Sequence, residues 1–428
     1  MYPHPPVQGF VSERESCGRA AEGLAKAFRR TPADTRLLFS PYRVCPLGAH
    51  VDHQDGLVTG FAIDHGVAFA FAPREDTLVR AGSTTFPDTI SFDLTAIPPA
   101  VAGDWGNFPR GAAVALQKRG HALNRGVDLF LAGELPVGGL SSSAAVGVGY
   151  LLALEAVNDL SVAPEENVTL ARAIENEYVG LNSGVLDQSM ILLSQGGALL
   201  QLDCRTMERT YVRFGDAGGA SEASTPSRFG ATGAAAPPVI GVAYSGVSQA
   251  LVGTGYNQRV AECREAARLL LEGAQLPVPE GGARLRDVPP HAFETLASAL
   301  PEHLRKRATH YFTEQRRVRD GVGAWAGGDV PELGRLVSES GRSSIENYEC
   351  GAPELISLYH ALTSAPGVYG ARFSGAGFRG SCLALVDPAH FEAAGDHVRE
   401  RYLQEFPQYA ETFGFFRCAP GPAAHFLS

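Results

Sequence analysis

Residues Gly138-Gly139-Leu140-Ser141-Ser142-Ser143 set two glycines and three hydroxyls between a strand pattern at 127–131 and an apolar helix pattern at 144–157. Glycine lets a backbone approach a ligand closely because it has no Cβ. The unpaired N–H groups of a helix start, at the positive end of its dipole, attract an anion such as a phosphate. Two readings fit this stretch, which opens at Pro136. One is an anion cradle; the other is a serine-capped turn from strand to helix. No Gly-Lys-Ser/Thr follows, so it is not the Walker phosphate loop.

Three charged residues stand elsewhere in patterns that could serve such a cradle. Arg43 opens a turn-rich segment, 43–56, crowded with hydrogen-bonding groups. Glu175 shares a helical stripe with Val168, Ala171 and Tyr178 in a helix expected over 163–180. A carboxylate there either snorkels to solvent at the stripe's edge or faces inward as a metal ligand; the stripe alone favours snorkelling. Asp187 ends a loop over 180–188, just before apolar residues 190–193. Taken singly, Asp187 reads as a helix cap and Arg43 as a surface cation.

The positioning elements follow from periodicity. Residues 16–29 read as an amphipathic helix with Ala21, Leu24, Ala25 and Phe28 on one face. A strand at 37–45 is broken by Pro41 and Pro46. Two strands, 57–64 and 67–72, join at His65-Gly66. Further helices are expected at 105–118, 256–272, 291–340, 353–365 and 390–402. Residues 370–386 read as strand, glycine loop, strand. The low-complexity stretch 215–238 reads as a long surface insertion near a domain change.

With 428 residues, the chain can hold two or three substantial cores. A formal charge of −10 argues against nucleic acid or an anionic membrane as main partner. No run of about 18 apolar residues predicts a spanning helix. Residues 1–20 carry no apolar h-region, so a cytoplasmic location is expected. Seven scattered cysteines without a Cys-x-x-Cys pair suggest neither a disulfide framework nor a zinc site.

Taken together, the segments 43–56, 136–145 and 370–382 resemble the motifs of the GHMP small-molecule kinases, and the resemblance spans nearly the whole chain. Asp187-Gln188 twelve residues after Glu175, Gly255-Tyr256-Asn257-Gln258-Arg259, and Tyr348-Glu349 before Pro353-Glu354-Leu355 point to the galactokinase branch. The resemblance implies an α+β fold of two domains, with the active site in the cleft between them and a boundary near residue 205 (1–205 and 206–428). The first motif, the serine loop and Asp187 would belong to the N-terminal domain.

The resemblance also implies roles. Pro136, Gly138, Gly139, Leu140, Ser141, Ser142 and Ser143 would surround the ATP phosphates, with Trp105 near the adenine. Ser143 and Glu175 would hold Mg²⁺, which takes hard oxygen ligands. Asp187 would act on the sugar's anomeric hydroxyl beside Arg43. His50, Asp52, Gly184 and Tyr256 would contact the sugar. Such phosphoryl transfer rests on positioning and charge neutralisation.

Two departures bear on the substrate. The branch usually has Gly-Glu-His-Thr-Asp-Tyr-Asn where this chain has Gly48-Ala49-His50-Val51-Asp52-His53-Gln54. Replacing that glutamate by Ala49 removes a like-charge clash with a sugar whose C6 is a carboxylate. His50 and His53 could supply donors or positive charge. Arg379 stands in the third motif where glycine is usual; it could meet a phosphate, the acid sugar or solvent. The expected activity is ATP-dependent 1-phosphorylation of D-galacturonic acid. A kinase for galactose or another sugar, and a non-catalytic sugar sensor, are the rivals.

Overall fold

The computed structural model describes residues 11–133, 138–216, 236–247, 255–378 and 380–427. Pro136, Arg379 and most of 215–238 lie outside them. The elements run α1 (Glu13–Phe28), β1 (Arg36–Val44), β2 (Leu57–Pro73), β3 (Leu78–Ser83), β4 (Ile90–Asp93), α2 (Asn107–Lys118), β5 (Val127–Gly133), α3 (Ser142–Val157), α4 (Pro164–Ala173) and α5 (Leu186–Leu193). Next come β6 (Ala198–Asp203), β7 (Arg209–Arg213), β8 (Val239–Tyr244), α6 (Tyr256–Gly273), α7 (Pro290–Leu296), α8 (Glu302–Gly327), α9 (Val330–Ser343) and α10 (Pro353–Thr363). The series closes with β9 (Val368–Phe373), β10 (Ser381–Val386), α11 (Phe391–Glu405), β11 (Gly414–Cys418) and β12 (His425–Leu427). Among the described residues, no helix is long and apolar enough to cross a membrane.

The chain forms two compact units, each discontinuous in sequence. Unit 1 holds Met1–Arg43, Ala62–Gly196 and Pro420–Ser428; unit 2 holds Val44–Phe61 and Gly197–Ala419. The expected single boundary near residue 205 assigns Ala49, His50 and Asp52 to the first domain. The structure instead packs them in unit 2, with Tyr256, and leaves only Arg43 of that motif in unit 1.

In unit 1, β12 pairs antiparallel with β1, β2 with β5 (Val67 opposite Gly133), β3 parallel with β5, and β4 antiparallel with β3. Helix α1 closes this sheet with Cys17, Ala20 and Leu24 against Phe39, Ala68, Ala70 and Ala132. Its buried stripe is rotated from the expected face, and Ala25 is exposed. Helix α3 is buried on nearly every side, as its apolar composition demands.

The expected junction of two strands at His65-Gly66 is absent: β2 runs through both residues as one strand. A Cβ on Gly66 would lie 2.3 Å from Ser40 O, so this glycine serves close packing of main chains, not a turn. Likewise β1 continues through Pro41.

In unit 2, the first residues of β2 pair with β6, which pairs with β7. A separate antiparallel sheet has the order β11-β8-β10-β9. The glycine loop of residues 374–380 joins β9 to β10, as its sequence predicts.

Candidate active site

Unit 1 assembles its polar groups where β1 ends and α3 and α5 begin. The Arg43 side chain is almost fully buried; its Nε donates to Asp187 Oδ1 at 2.7 Å and its Nη1 to Gly139 O at 3.0 Å. The Arg43 N–H donates to Leu140 O at 3.3 Å, tying β1 to the glycine-serine loop. Asp187 sits in the first turn of α5, not in the preceding loop, and its side chain is 26 % exposed. Gly184 is buried just before that helix.

Ser141 does not act as the serine cap that one reading of this stretch expects. It occupies the N-cap position of α3 in left-handed backbone (φ 58°), and its side chain does not cap the helix. Its hydroxyl donates to Asp187 Oδ2 at 2.5 Å instead. Gly139 is also left-handed, at φ 88°. The loop is therefore shaped for the carboxylate, with Gly138 in the turn and Ser142 as the first helical residue.

Glu175 corrects the snorkelling expectation. Helix α4 gives way to a π-helical turn over Ile174–Val179, and Glu175 is buried within it, 2 % exposed. It lies on the same face as Val168 and Ala171, which are also buried, so the stripe faces inward along its length to this point. Glu175 Oε1 accepts from Ser143 Oγ at 3.0 Å; Oε2 accepts from Ser183 Oγ at 2.7 Å and Gln188 Nε2 at 2.9 Å. Burial, and then the nearby Asp187 charge, raise the Glu175 carboxyl above its ordinary range despite those three donors. Trp105 stands just before α2 in a stacked pair with Phe86, centroids 5.2 Å apart.

Unit 2 holds the sugar-motif residues. A Cβ at Gly48 (φ 100°) would lie 2.5 Å from Val58 Cα, so only glycine permits this turn. His50, also left-handed at φ 57°, stacks on Tyr348 with centroids 4.1 Å apart. Asp52 begins a 3₁₀ turn, Asp52–Gln54. Tyr256 meets the His53 ring edge-on at 6.1 Å.

His53 supplies no positive charge. Gln54 Oε1 accepts from the Leu285 N–H at 3.0 Å, so its amide nitrogen is the group that donates to His53 Nδ1 at 2.9 Å. The proton therefore sits on Nε2, which donates to the Tyr348 hydroxyl at 3.1 Å. Burial first, and then the Arg264 charge, push His53 down to about 3.

Three groups in these networks escaped the sequence reading: Ser183 beside Glu175, and His310 and Glu314 on α8 behind Ala49; Gln188 enters that reading only as part of a motif, with no role. The four-residue spacing of His310 and Glu314 was the only signal available for that pair.

Residues 107–195 match the family model described as GHMP kinases N terminal domain, and residues 321–404 match GHMP kinases C terminal. The Arabidopsis thaliana galacturonokinase is 43 % identical over 95 % of this chain and 97 % of its own length. The Roseiflexus galactokinase is 32 % identical over 85 % and 86 % respectively. A crystal structure of Lactococcus lactis galactokinase complexed with galactose aligns at a TM-score of 0.84 and 28 % identity, covering 95 % of this chain and 98 % of that one. With its two units of mixed helices and sheets, the chain belongs to the GHMP kinases, and it is a sugar kinase of that family.

Proposed function

We propose that this kinase phosphorylates D-galacturonic acid at its anomeric oxygen, with ATP as donor and Mg²⁺ as cofactor. The observation that carries the substrate choice is Ala49, a methyl group where the galactokinase branch has a carboxylate. A sugar whose C6 is ionised would be repelled by that carboxylate and is tolerated by alanine. The 43 % identity to a galacturonokinase supports the same choice.

In unit 1, residues 138–143 cradle the phosphates, and Trp105 lies toward the adenine. Asp187, oriented by Arg43 and Ser141, retains lone pairs to accept the hydrogen of the sugar's O1 hydroxyl. A bond forms from O1 to the γ-phosphorus, the bond to the β-phosphate bridging oxygen breaks, and ADP leaves; the O1 proton passes to Asp187. Arg43 neutralises charge near the transferring group. In unit 2, His50, Asp52 and Tyr256 hold the sugar.

The donor set fits Mg²⁺. Ser143 Oγ and Glu175 Oε1 are hard oxygens 3.0 Å apart, and Ser183 and Gln188 fix the other Glu175 oxygen. When bound, the ion would neutralise phosphate charge. All seven cysteines are buried and free, which supports the cytoplasm as the place of action.

The test is a panel of galacturonate, galactose and glucuronate under one set of conditions, reading ADP release and the position of phosphate on the product. Preference for galactose over galacturonate would overturn the proposal. Ala49→Glu is expected to lower kcat/KM for galacturonate by roughly ten- to a hundredfold more than for galactose, the scale of one like-charge contact partly screened by solvent.

A further inference from the structure

Helix α8 meets residues 48–50 with two side chains, His310 and Glu314, that share one face of the helix. Glu314 is fully buried. Its Oε1 accepts the Gly48 N–H at 2.8 Å, the Ala49 N–H at 3.2 Å and the Ser340 hydroxyl at 2.7 Å. Its Oε2 accepts Arg317 Nε at 2.7 Å, and Arg372 Nη1 stands 3.8 Å from Oε1. Two consecutive N–H groups converging on one anion, next to a left-handed glycine, form a backbone nest.

His310 completes the grip. Its Nε2 donates to Ala49 O at 2.9 Å, and its Nδ1 lies 3.0 Å from Ser343 Oγ. The peptide groups on both sides of Ala49 are thereby held from α8. The next residue, His50, is the one stacked on Tyr348.

Burial alone would raise the Glu314 carboxyl. Arg317 is the strongest opposing influence, and the net result is about 2, so the group is an anion throughout the working range. A glutamine would not substitute quietly. The carboxylate spends its lone pairs on four hydrogen-bond donors, and an amide would turn its own N–H groups toward some of them.

We propose that Glu314 and His310 are positioning residues for sugar recognition. They fix the main chain at 48–50 so that His50 and Asp52 are presented in one orientation, and they act through that chain without touching the sugar. This rests on the reading that His50 and Asp52 contact the substrate.

The test uses the full chain and whichever sugar the wild type turns over fastest, so it does not depend on galacturonate being the substrate. Glu314→Gln and the double variant Glu314→Met/Arg317→Met are compared with wild type. The double variant removes both members of the buried ion pair, a change that proteins often tolerate. It still leaves the Gly48 and Ala49 N–H groups, the Ser340 hydroxyl and the buried Arg372 without that carboxylate, so its unfolding temperature is expected to fall, and a thermal melt fixes the temperature at which the kinetics are read on folded protein. Both variants are expected to raise the sugar KM at least tenfold while the ATP KM stays within twofold. His310→Ala should also raise the sugar KM, and His310→Gln, which keeps an N–H for Ala49 O, should recover part of the loss.

Folded Glu314 variants with unchanged sugar KM, or with sugar and ATP KM rising together, would overturn the proposal. If the Glu314 variants do not fold, the His310 pair decides: equal sugar KM in His310→Ala and wild type would overturn it. His50→Ala and Asp52→Ala separate the two levels. If these leave the sugar KM unmoved, the underlying reading fails. If they raise it while the α8 variants do not, only the positioning proposal fails.

Discussion

In unit 1 Asp187 is held by two partners and remains a quarter exposed, and burial raises the carboxyls of Glu175 and Glu155 above their ordinary range. In unit 2 the segment 48–54 is backed by α8, and burial lowers the pKa of His53 and of His310. Glu155, on α3, is 6 % exposed, and burial pushes it up to about 7. His53 and His310 are pushed down to about 3 and about 4, again chiefly by burial. The same loss of water thus gives Glu155 and the two histidines opposite responses to acid. A group that must accept a proton from substrate needs access and orientation. A loop that presents side chains to a ligand needs a fixed main chain, which buried, fully committed partners provide.

The largest expected effect probes the open side of this contrast. Asp187→Asn should lower kcat by ~10²–10⁴, the range for losing a general base. Asn keeps an oxygen for Arg43 Nε but no charge for that buried guanidinium, so the unfolding temperature should also fall. Steady-state kinetics and a thermal melt on the same sample would check both. A large loss of stability with intact kcat would put Asp187 on the structural side and erase the contrast.

Next in size is the acid response. Between pH 6.5 and the depressed folded values, the unfolded chain binds protons at His53 and His310 that the native state refuses. Their stabilising contribution is complete above pH ~6.5 and falls by about 1.4 kcal/mol per pH unit for each histidine as the solution is acidified. Glu155 runs the other way. Its native pKa lies above the unfolded one, so its contribution to stability grows as pH falls from about 7 toward 4.5. Hydrogen exchange at pH 7.5 and pH 5, corrected for intrinsic rates, should show protection falling in Asp52–Gln54 and α8 relative to α3. Equal changes in both places would break the comparison.

The smallest effect isolates Glu155. Its Oε2 accepts from Asn167 Nδ2 at 3.1 Å, whereas Oε1 has no hydrogen-bond partner among the described residues. Glu155→Gln mimics the protonated acid and should stabilise the protein by on the order of 1–3 kcal/mol at pH 8, with little effect at pH 5. Denaturant midpoints at the two pH values measure this; equal shifts at both would remove titration as the cause.

Much of the fold could be read from periodicity. The apolar run of α3, the strand before it and the glycine loop between β9 and β10 lie where spacing put them. Other features could not be read locally. His65-Gly66 has the composition of a turn, and only the neighbouring strand reveals why a glycine is required there. Glu175 lies on the same stripe as the buried Val168 and Ala171, and only its partners Ser143, Ser183 and Gln188, up to 32 positions away, reveal that its carboxylate turns inward and does not snorkel. Ser141 has the residue type of a cap, and its actual partner is 46 positions away. Glu314 is one acid in a charged stretch of α8. Its partners Gly48 and Ala49 are more than 260 residues distant, so no window of sequence contains the interaction. Resemblance to known motifs reached Arg43, Ser143 and Asp187 because those residues carry the pattern. It missed His310 and Glu314 because they support the pattern from another element.

The pairing of β1 with β12 has a consequence for biosynthesis. Leu37 lies opposite Leu427, so the edge of the first sheet is finished by a strand translated almost 400 residues later. Until then, a nascent chain carries an unpaired strand edge and an incomplete unit 1, a state open to mispairing with neighbouring chains. Completion of this sheet edge therefore waits until residues 425–427 have been made.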